Sequence, residues 1–204
     1  MKGRSYWEVG GFLAGGVLIL FGIVAIFMGV TGFTTTRDAI KDEGITFGST
    51  EDPAVAKYAD QWAGEQVTTG DQARAFAQIM RYHTFNAEWN SEQLTYAEMG
   101  RFLAADDPSN PAGTSDEEAA LKDDEGNAVS NNYRNQWVTE TALTTALNMS
   151  YMAERLSVFG LVVGIALLLT GIGLVILAFA VFRKPEEASD VARTRAASAT
   201  PVTS

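Results

Sequence analysis

Few residues in this chain are able to do chemistry. Its 204 residues include no cysteine and a single histidine, His83. The lack of cysteine excludes disulfides, thiolate nucleophiles and cysteine-ligated metal centres, and one imidazole excludes any site that needs two from the same chain. His83 could act as a general base beside Glu88 or Glu92. Its place near a predicted helix end instead favours a structural role, in which the imidazole hydrogen-bonds to backbone carbonyls and interacts favourably with the helix dipole.

Other motifs that would carry chemistry are equally sparse. The sequence has no P-loop and no GxSxG nucleophile elbow. The acidic run Asp123 to Gly126 lacks EF-hand spacing, which favours a solvated loop over a calcium site. We therefore predict no catalytic, cofactor-binding or metal-binding residues and no enzymatic activity. An enzyme that uses carboxylates alone is the alternative, although no Asp or Glu pair stands at a persuasive spacing.

Three tryptophans in the hydrophilic part of the chain have two interpretations. Trp62, Trp89 and Trp137 could build an aromatic pocket for an apolar ligand. Alternatively they form the core of a small domain that has few other large apolar groups. The second interpretation is favoured, and the first stays as a possible ligand pocket.

The elements that must position these residues follow from two uncharged segments. Residues 9–33 and 156–182 contain no charged residue, and each is longer than the roughly 20 residues with which a helix crosses a bilayer. The first segment is too long for the apolar region of a cleaved signal peptide, and no A-x-A site follows it. We therefore predict two transmembrane helices, the first of them a retained anchor.

Charge along the chain predicts the orientation of these two spans. The net charge is −10, and residues 34–155 carry 9 basic and 21 acidic residues, a balance of −12. Arg183 and Lys184 follow the second span, while only Arg155 directly precedes it. The positive-inside rule then predicts a multi-pass plasma-membrane protein with residues 34–155 extracytoplasmic and both termini cytoplasmic. The acidity of the large segment opposes nucleic-acid binding. The cytoplasmic ends are residues 1–8 and a low-complexity tail, 183–204, that is predicted to be disordered.

Small residues recur with the same spacing in both spans. Steps of 4 and 7 return to nearly the same helix face, so each span has one smooth stripe where another backbone can approach. We expect an antiparallel hairpin in which Gly22 faces Gly171; the alternative is that the stripes serve a homo-oligomer or a larger membrane-protein partner. The stripes are Gly11, Gly15, Gly22 and Gly29 in the first span, and Gly160, Gly164, Gly171 and Ala178 in the second.

The segment between the spans begins with helix signals. The first span is predicted to continue as helix to Gly44, after which residues 45–48 form a short extended piece. Asp52-Pro53 starts a short helix to about residue 61, and a capping box at residues 69–72 opens a helix over 71–84. The positions of that last helix predicted to be buried are Ala73, Phe76, Ala77 and Met80, with His83 as a further candidate.

A less regular stretch comes next. The cap Thr95-x-x-Glu98 predicts a short helix containing Met99 and Phe102. Residues 104–132 form an acidic loop, with a helical turn or two after Ser115.

The last and longest predicted element is a helix over residues 132–182, about 76 Å long. No Gly or Pro interrupts it before residue 160. Its outer half needs something to pack on, and the candidates are the extension of the first span and the helices around Phe76 and Phe102. The stripe expected to face that packing partner is Val138, Ala142, Ala146, Met149, Ala153 and Leu156.

The chain resembles small two-span membrane proteins of actinobacteria that have no established function. The resemblance is carried by residues 134–143 and 148–154, together with residues 95–99. Some of those chains carry the label aromatic ring-opening dioxygenase, a chemistry that needs iron held by imidazoles and that one histidine cannot support. The resemblance implies the topology and an envelope location, and no mechanism.

The sequence therefore predicts an all-α membrane protein: a transmembrane hairpin with long helical extensions and a small helical extracytoplasmic cap. The leading functional hypothesis is a non-enzymatic accessory, scaffold or interaction subunit of the cell envelope. The alternative is a receptor-like module that senses a small molecule or cell-wall fragment through the cap.

Overall fold

The computed structural model describes residues 2–182, with side chains over residues 9–180. The predicted tail, residues 183–204, lies outside this part, as do the side chains of the predicted N-terminal segment, residues 1–8. The described part is helical, and its β-structure is limited to isolated bridges. Its elements are α1 (Lys2–Asp42), α2 (Pro53–Tyr58), α3 (Gly70–Phe85) and α4 (Asn132–Phe182), with single 3₁₀ turns at Asp60–Trp62 and Glu88–Asn90.

The chain forms two compact units, to which α1 and α4 both contribute. We call residues up to Met28 together with those from Phe159 onward the helix-pair unit, and Gly29–Val158 the central unit. In the helix-pair unit α1 and α4 pack against each other. Both helices are long and apolar enough to cross a membrane.

Helix α1 ends close to its predicted stop. Its last residue is Asp42, and Gly44 follows with a φ of +64°, the left-handed conformation that glycine adopts without strain. The predicted extended piece is confirmed, since Thr46 forms an antiparallel bridge with Gln66.

Local capping explains where α2 and α3 begin. Asp52 caps α2 by accepting a hydrogen bond from the N–H of Ala54 at 2.8 Å. The helix stops at Tyr58, because the backbone leaves the helical conformation at Ala59 before the 3₁₀ turn. Thr69 caps α3 through a complete capping box with Gln72.

A small apolar core holds the central unit together. Its residues come from the end of α1, the segment after it, α2, the approach to α3, and α3 itself. Tyr58, Trp62, Phe76 and Leu147 pack around this core at partial exposure. The buried members are Ile40, Phe47, Ala54, Val55, Ala59, Val67, Ala73, Ala75 and Ile79.

The predicted helix through Phe102 is absent. Glu98 does accept hydrogen bonds from the N–H and hydroxyl of Thr95, at 2.8 and 2.7 Å. These bonds close only one turn, because the N–H of Gly100 donates to Ala112 and the backbone of Phe102 pairs with Thr114. The prediction is therefore wrong: the capping signal is real, but bridge pairing takes the backbone groups a helix would need.

The acidic loop also folds without the helical turns expected after Ser115. The N–H of Asp116 donates to the hydroxyl of Thr114, and the N–H of Glu118 donates to the carboxylate of Asp116. Such side-chain bonds compete with helix formation. Bridges then pair Ala104 with Ala120, which is buried.

Helix α4 has the bounds predicted for it, Asn132–Phe182. The buried Asn131 side chain accepts hydrogen bonds from the N–H groups of Tyr133 and Arg134 at 3.1 and 3.3 Å. Its amide donates to the carbonyls of Gly100 and Pro111. One buried asparagine thus starts the longest helix and fastens the loop before it.

Candidate functional site

The two glycine stripes meet in the helix-pair unit. A Cβ added to Gly15 would lie 2.8 Å from the carbonyl oxygen of Gly171, and one added to Gly171 would lie 2.7 Å from that of Gly15. Any larger residue at either position would force the backbones apart. Gly11 lies opposite Ala178, with 3.3 Å between the added Cβ and the alanine Cβ.

The register of this pairing differs from the expectation. Gly22 lies against Gly164, whose carbonyl oxygen would be 2.8 Å from an added Cβ, and not against Gly171. The expected Gly22–Gly171 pairing is wrong by one seven-residue step. Because both stripes repeat with the same 4-7-7 spacing, the pattern defines the contact faces but leaves several sliding offsets open. Of the remaining stripe residues, Gly29 is buried and Gly160 is half-buried.

The three tryptophans lie in three different surroundings. Trp62 stacks on Phe47, with 6.0 Å between ring centroids, beside the apolar core. Trp89 stacks on Tyr133 at 5.3 Å. Trp137, which is 6% exposed, meets Phe85 edge-on at 5.0 Å. The structure therefore does not bring the three together around one cavity.

The histidine does not sit where the helix pattern placed it. His83 is 52% exposed, so the expectation that it is buried on α3 is wrong. Its Nε2 lies 2.8 Å from a carboxylate oxygen of Asp52, rather than near Glu88 or Glu92. Burial raises the pKa of Asp52, but hydrogen bonds from His83 and from the N–H of Ala54 outweigh it and hold that pKa below its ordinary value.

The inward face of α4 is polar, whereas apolar periodicity predicts the opposite face. The stripe expected to face inward is exposed, with Val138 at 47%, Met149 at 60% and Leu156 at 70%. Steps of 3 and 4 also connect the residues of α4 that do face the interior of the central unit. The helical period was therefore predicted correctly, but the wrong face of the helix was expected to point inward. These residues are Trp137, Glu140, Thr144, Leu147, Tyr151 and Glu154.

Glu154 joins three helices through its carboxylate. It is 5% exposed and accepts hydrogen bonds from Nε of Arg37 on α1 and from the N–H of Gly70, both at 3.0 Å. Gly70 is the first residue of α3, where the helix dipole favours a negative charge. A Cβ on Gly70 would lie 3.0 Å from the Cα of Tyr151, so glycine allows this close approach.

Glu140 is a second buried carboxylate on the same face. One oxygen lies 3.2 Å from the guanidinium of Arg81, and the other has no hydrogen-bond partner. Burial raises the pKa of Glu140, with the charge of Arg81 acting in the opposite direction. The guanidinium of Arg81 also lies 4.9 Å from the centre of the Trp137 ring.

An apolar cavity of about 490 Å³ lies among α1, α3 and α4 within the central unit. Ile40, Phe76 and Leu147 form its apolar wall, and Glu43 and Ser150 supply polar groups. Its size and composition are typical of small-molecule sites. None of the three tryptophans lines it. The full lining is Ala39, Ile40, Glu43, Ile45, Phe76, Met80, Leu143, Ala146, Leu147 and Ser150.

Metal-ligating groups do not converge in the part of the chain that the structure describes: no three His, Cys, Asp or Glu side chains there could hold an ion. The acidic run at residues 123–126 forms a turn. The carboxylate of Asp123 accepts hydrogen bonds from the N–H groups of Glu125 and Asn127, at 3.0 and 2.8 Å.

Comparison of the chain with protein-family models, with curated proteins and with solved structures finds no match. The resemblance to two-span actinobacterial proteins stays a prediction.

Proposed function

We propose that this chain is an integral membrane protein of the cell envelope. In this proposal α1 and α4 cross the plasma membrane as an antiparallel hairpin, and the central unit lies on the extracytoplasmic side. The central unit serves as a non-enzymatic accessory, scaffold or interaction subunit.

The observation that carries the proposal is the inverted packing of the helix-pair unit. Many of its large apolar side chains are exposed, with Phe27 at 71% and Leu169 at 63%, while Gly15 and Gly22 are buried. In water this arrangement would leave a large apolar surface unprotected. In lipid it is favourable, because close backbone packing drives helix association there and the tails solvate large side chains.

Charge supports the orientation. Lys2 and Arg4 precede the first span and Arg183 and Lys184 follow the second, as expected for cytoplasmic ends. A scaffold role is supported by the use of the buried carboxylates: Glu154 and Glu140 form ion pairs that hold helices together. The composition, with no cysteine and one histidine, favours a non-enzymatic role.

Membrane insertion and topology can be tested in the same cells. Alkaline carbonate extraction should leave the protein in the membrane pellet. The chain has no cysteine, so a single introduced thiol can be labelled without background. A membrane-impermeant maleimide should label Ser109→Cys in intact cells and label Ser198→Cys only after permeabilisation. Release by carbonate would overturn membrane insertion, and the reverse labelling pattern would overturn the orientation.

A receptor-like module is the second candidate, and the apolar cavity of the central unit favours it. Native mass spectrometry of the purified full chain should then detect a bound small molecule. Ala146→Trp, which fills the cavity, should abolish this adduct. Ala153→Trp, at an exposed position outside the cavity, should retain it. A wild-type spectrum without any adduct would contradict this candidate.

A further inference from the structure

The outward face of α4 in the central unit is an apolar seam with coiled-coil spacing. Its positions are separated by 4, 3, 4, 3 and 4 residues, the a and d positions of a heptad. All are exposed, and the large ones strongly so: Met149 is 60%, Met152 62% and Leu156 70% exposed. The seam consists of Val138, Ala142, Thr145, Met149, Met152 and Leu156.

Among the residues that the structure describes, this face of α4 stays exposed in the central unit. The inward residues occupy the f positions (Glu140, Leu147 and Glu154) and the c positions (Trp137, Thr144 and Tyr151) of the same heptad, nearly opposite the seam on the helix. The contacts of α4 with α1 and α3 are therefore made without the a and d positions.

Charge indicates what kind of partner the seam accepts. The segment 34–155 has a balance of −12, yet no seam position carries a charge. The flanking Arg155 is neutralised by Asp71, with its guanidinium 2.5 and 2.7 Å from the two carboxylate oxygens. A two-fold pair places identical residues opposite each other. Two copies of this acidic unit can meet along the seam without bringing like charges together.

The same heptad count continues along α4 in the helix-pair unit, where its residues change type. After Phe159 and the half-buried Val163, the exposed positions include the small residues Ala166, Thr170 and Gly173. A Cβ added to Gly173 would meet nothing within 4 Å, so this face is open. Small residues spaced by about one helix turn allow close backbone packing in lipid, whereas large apolar residues drive pairing in water.

We propose that a second copy of this chain packs in parallel on this seam, α4 against α4. The inference rests on the proposed membrane topology, because insertion in one orientation makes the two copies parallel. Residues 138–156, which lie in the central unit, form the coiled-coil part, about 27 Å long. The glycine stripes are already occupied by the packing of α1 against α4 within one chain, so the dimer uses a different face of α4.

Disulfide cross-linking in membranes tests this pairing directly. Thr145→Cys places a thiol at a d position of the seam, where two copies bring their Cβ atoms together. Thr139→Cys is the matched control, an exposed threonine about 120° around the same helix. We expect about tenfold more disulfide-linked dimer from the Thr145 variant under mild oxidation. Equal cross-linking of the two variants, or none from either, would overturn the proposal.

A charge placed on the seam provides a second test. Wild-type protein in nanodiscs or mild detergent should have the mass of a dimer. Met149→Glu should convert it to a monomer by placing two carboxylates opposite each other, while Thr139→Glu should leave the dimer intact. A wild-type monomer, alone or bound to a different protein, would overturn the proposal.

Failure of this inference is distinguishable from failure of the proposed function. A carbonate-resistant monomer would contradict the dimer alone. A dimer cross-linked through residue 145 but released by carbonate would contradict membrane insertion alone.

Discussion

In the helix-pair unit the buried residues are small and many large apolar side chains are exposed, whereas the central unit has a core of buried apolar residues. Gly22 is buried and Phe27 is 71% exposed in α1, while Val55 and Val67 are at most 2% exposed in the central unit. Under the proposed topology, this difference reflects the solvent of each unit, which is lipid for the helix pair and water for the central unit. Water drives large apolar groups into a protein interior. Lipid does not, so close backbone packing determines which residues are buried there.

The largest expected effect comes from the core of the central unit. Ile79→Ala removes a side chain that is 3% exposed, and should lower the free energy of unfolding by about 3 kcal/mol. Phe27→Ala removes a larger side chain that is 71% exposed on the helix pair. It should cost far less, because in the proposed topology lipid solvates that position. Unfolding of the reconstituted protein measures the loss of stability in both variants. An equal loss would contradict the difference between the two units.

The next effect tests the helix pair. Gly22→Leu would place a Cβ 2.7 Å from the backbone nitrogen of Leu168, and should destabilise the pair by about 2 kcal/mol. Gly16→Leu is the matched control, because a Cβ there meets nothing within 4 Å. SDS titration of the reconstituted protein compares them. A tolerated leucine at position 22 would contradict the observed close approach of the backbones.

A smaller effect is expected at the buried ion pair of the central unit. Glu154→Gln removes the charge that holds Arg37 and the N–H of Gly70, and should cost about 1–2 kcal/mol. The cost is limited because Arg37 is 41% exposed and regains water. Glu125→Gln, at an exposed loop position, should change thermal stability little. Indistinguishable melting temperatures for the two variants would show that the carboxylate does not tie the helices together.

The smallest effect depends on pH. Burial raises the pKa of Glu140 above 4.5, so the folded state binds its proton more tightly than the unfolded state does. Its contribution to stability therefore falls as pH rises from 4.5 through the raised pKa. Melting temperatures measured over a pH series should therefore show the stability of the wild type, relative to Glu140→Gln, declining as the pH rises through that range. A difference that grows with pH would contradict the burial.

Much of the architecture followed from local patterns. The stop of α1 at Gly44, the cap of α2 at Asp52 and both ends of α4 agree with the predictions. Each depends on residues near one another in the chain: uncharged length, a capping oxygen, or glycine at a positive φ. The glycine stripes were recognised for the same reason, because helical period places them on one face.

Errors arose where two parts of the chain compete. The capping pair at Thr95 and Glu98 forms, but the backbone of Phe102 pairs with distant residues and no helix follows. The face of α4 that packs inward carries Glu140 and Glu154, since Arg81 and Arg37 are there to meet them. Apolar periodicity alone selected the opposite face, which we assign to a second copy of the chain.

The sequence by itself determined that the chain has two long uncharged segments, one smooth stripe on each, and an acidic segment between them, because length, charge and period are properties of the chain alone. Only the tertiary structure decided that Gly22 meets Gly164, that the tryptophans separate, and that the polar face of α4 turns inward. Those choices depend on which partner each face finds. Equal stripe spacings permit several offsets, and only contact between the helices selects one.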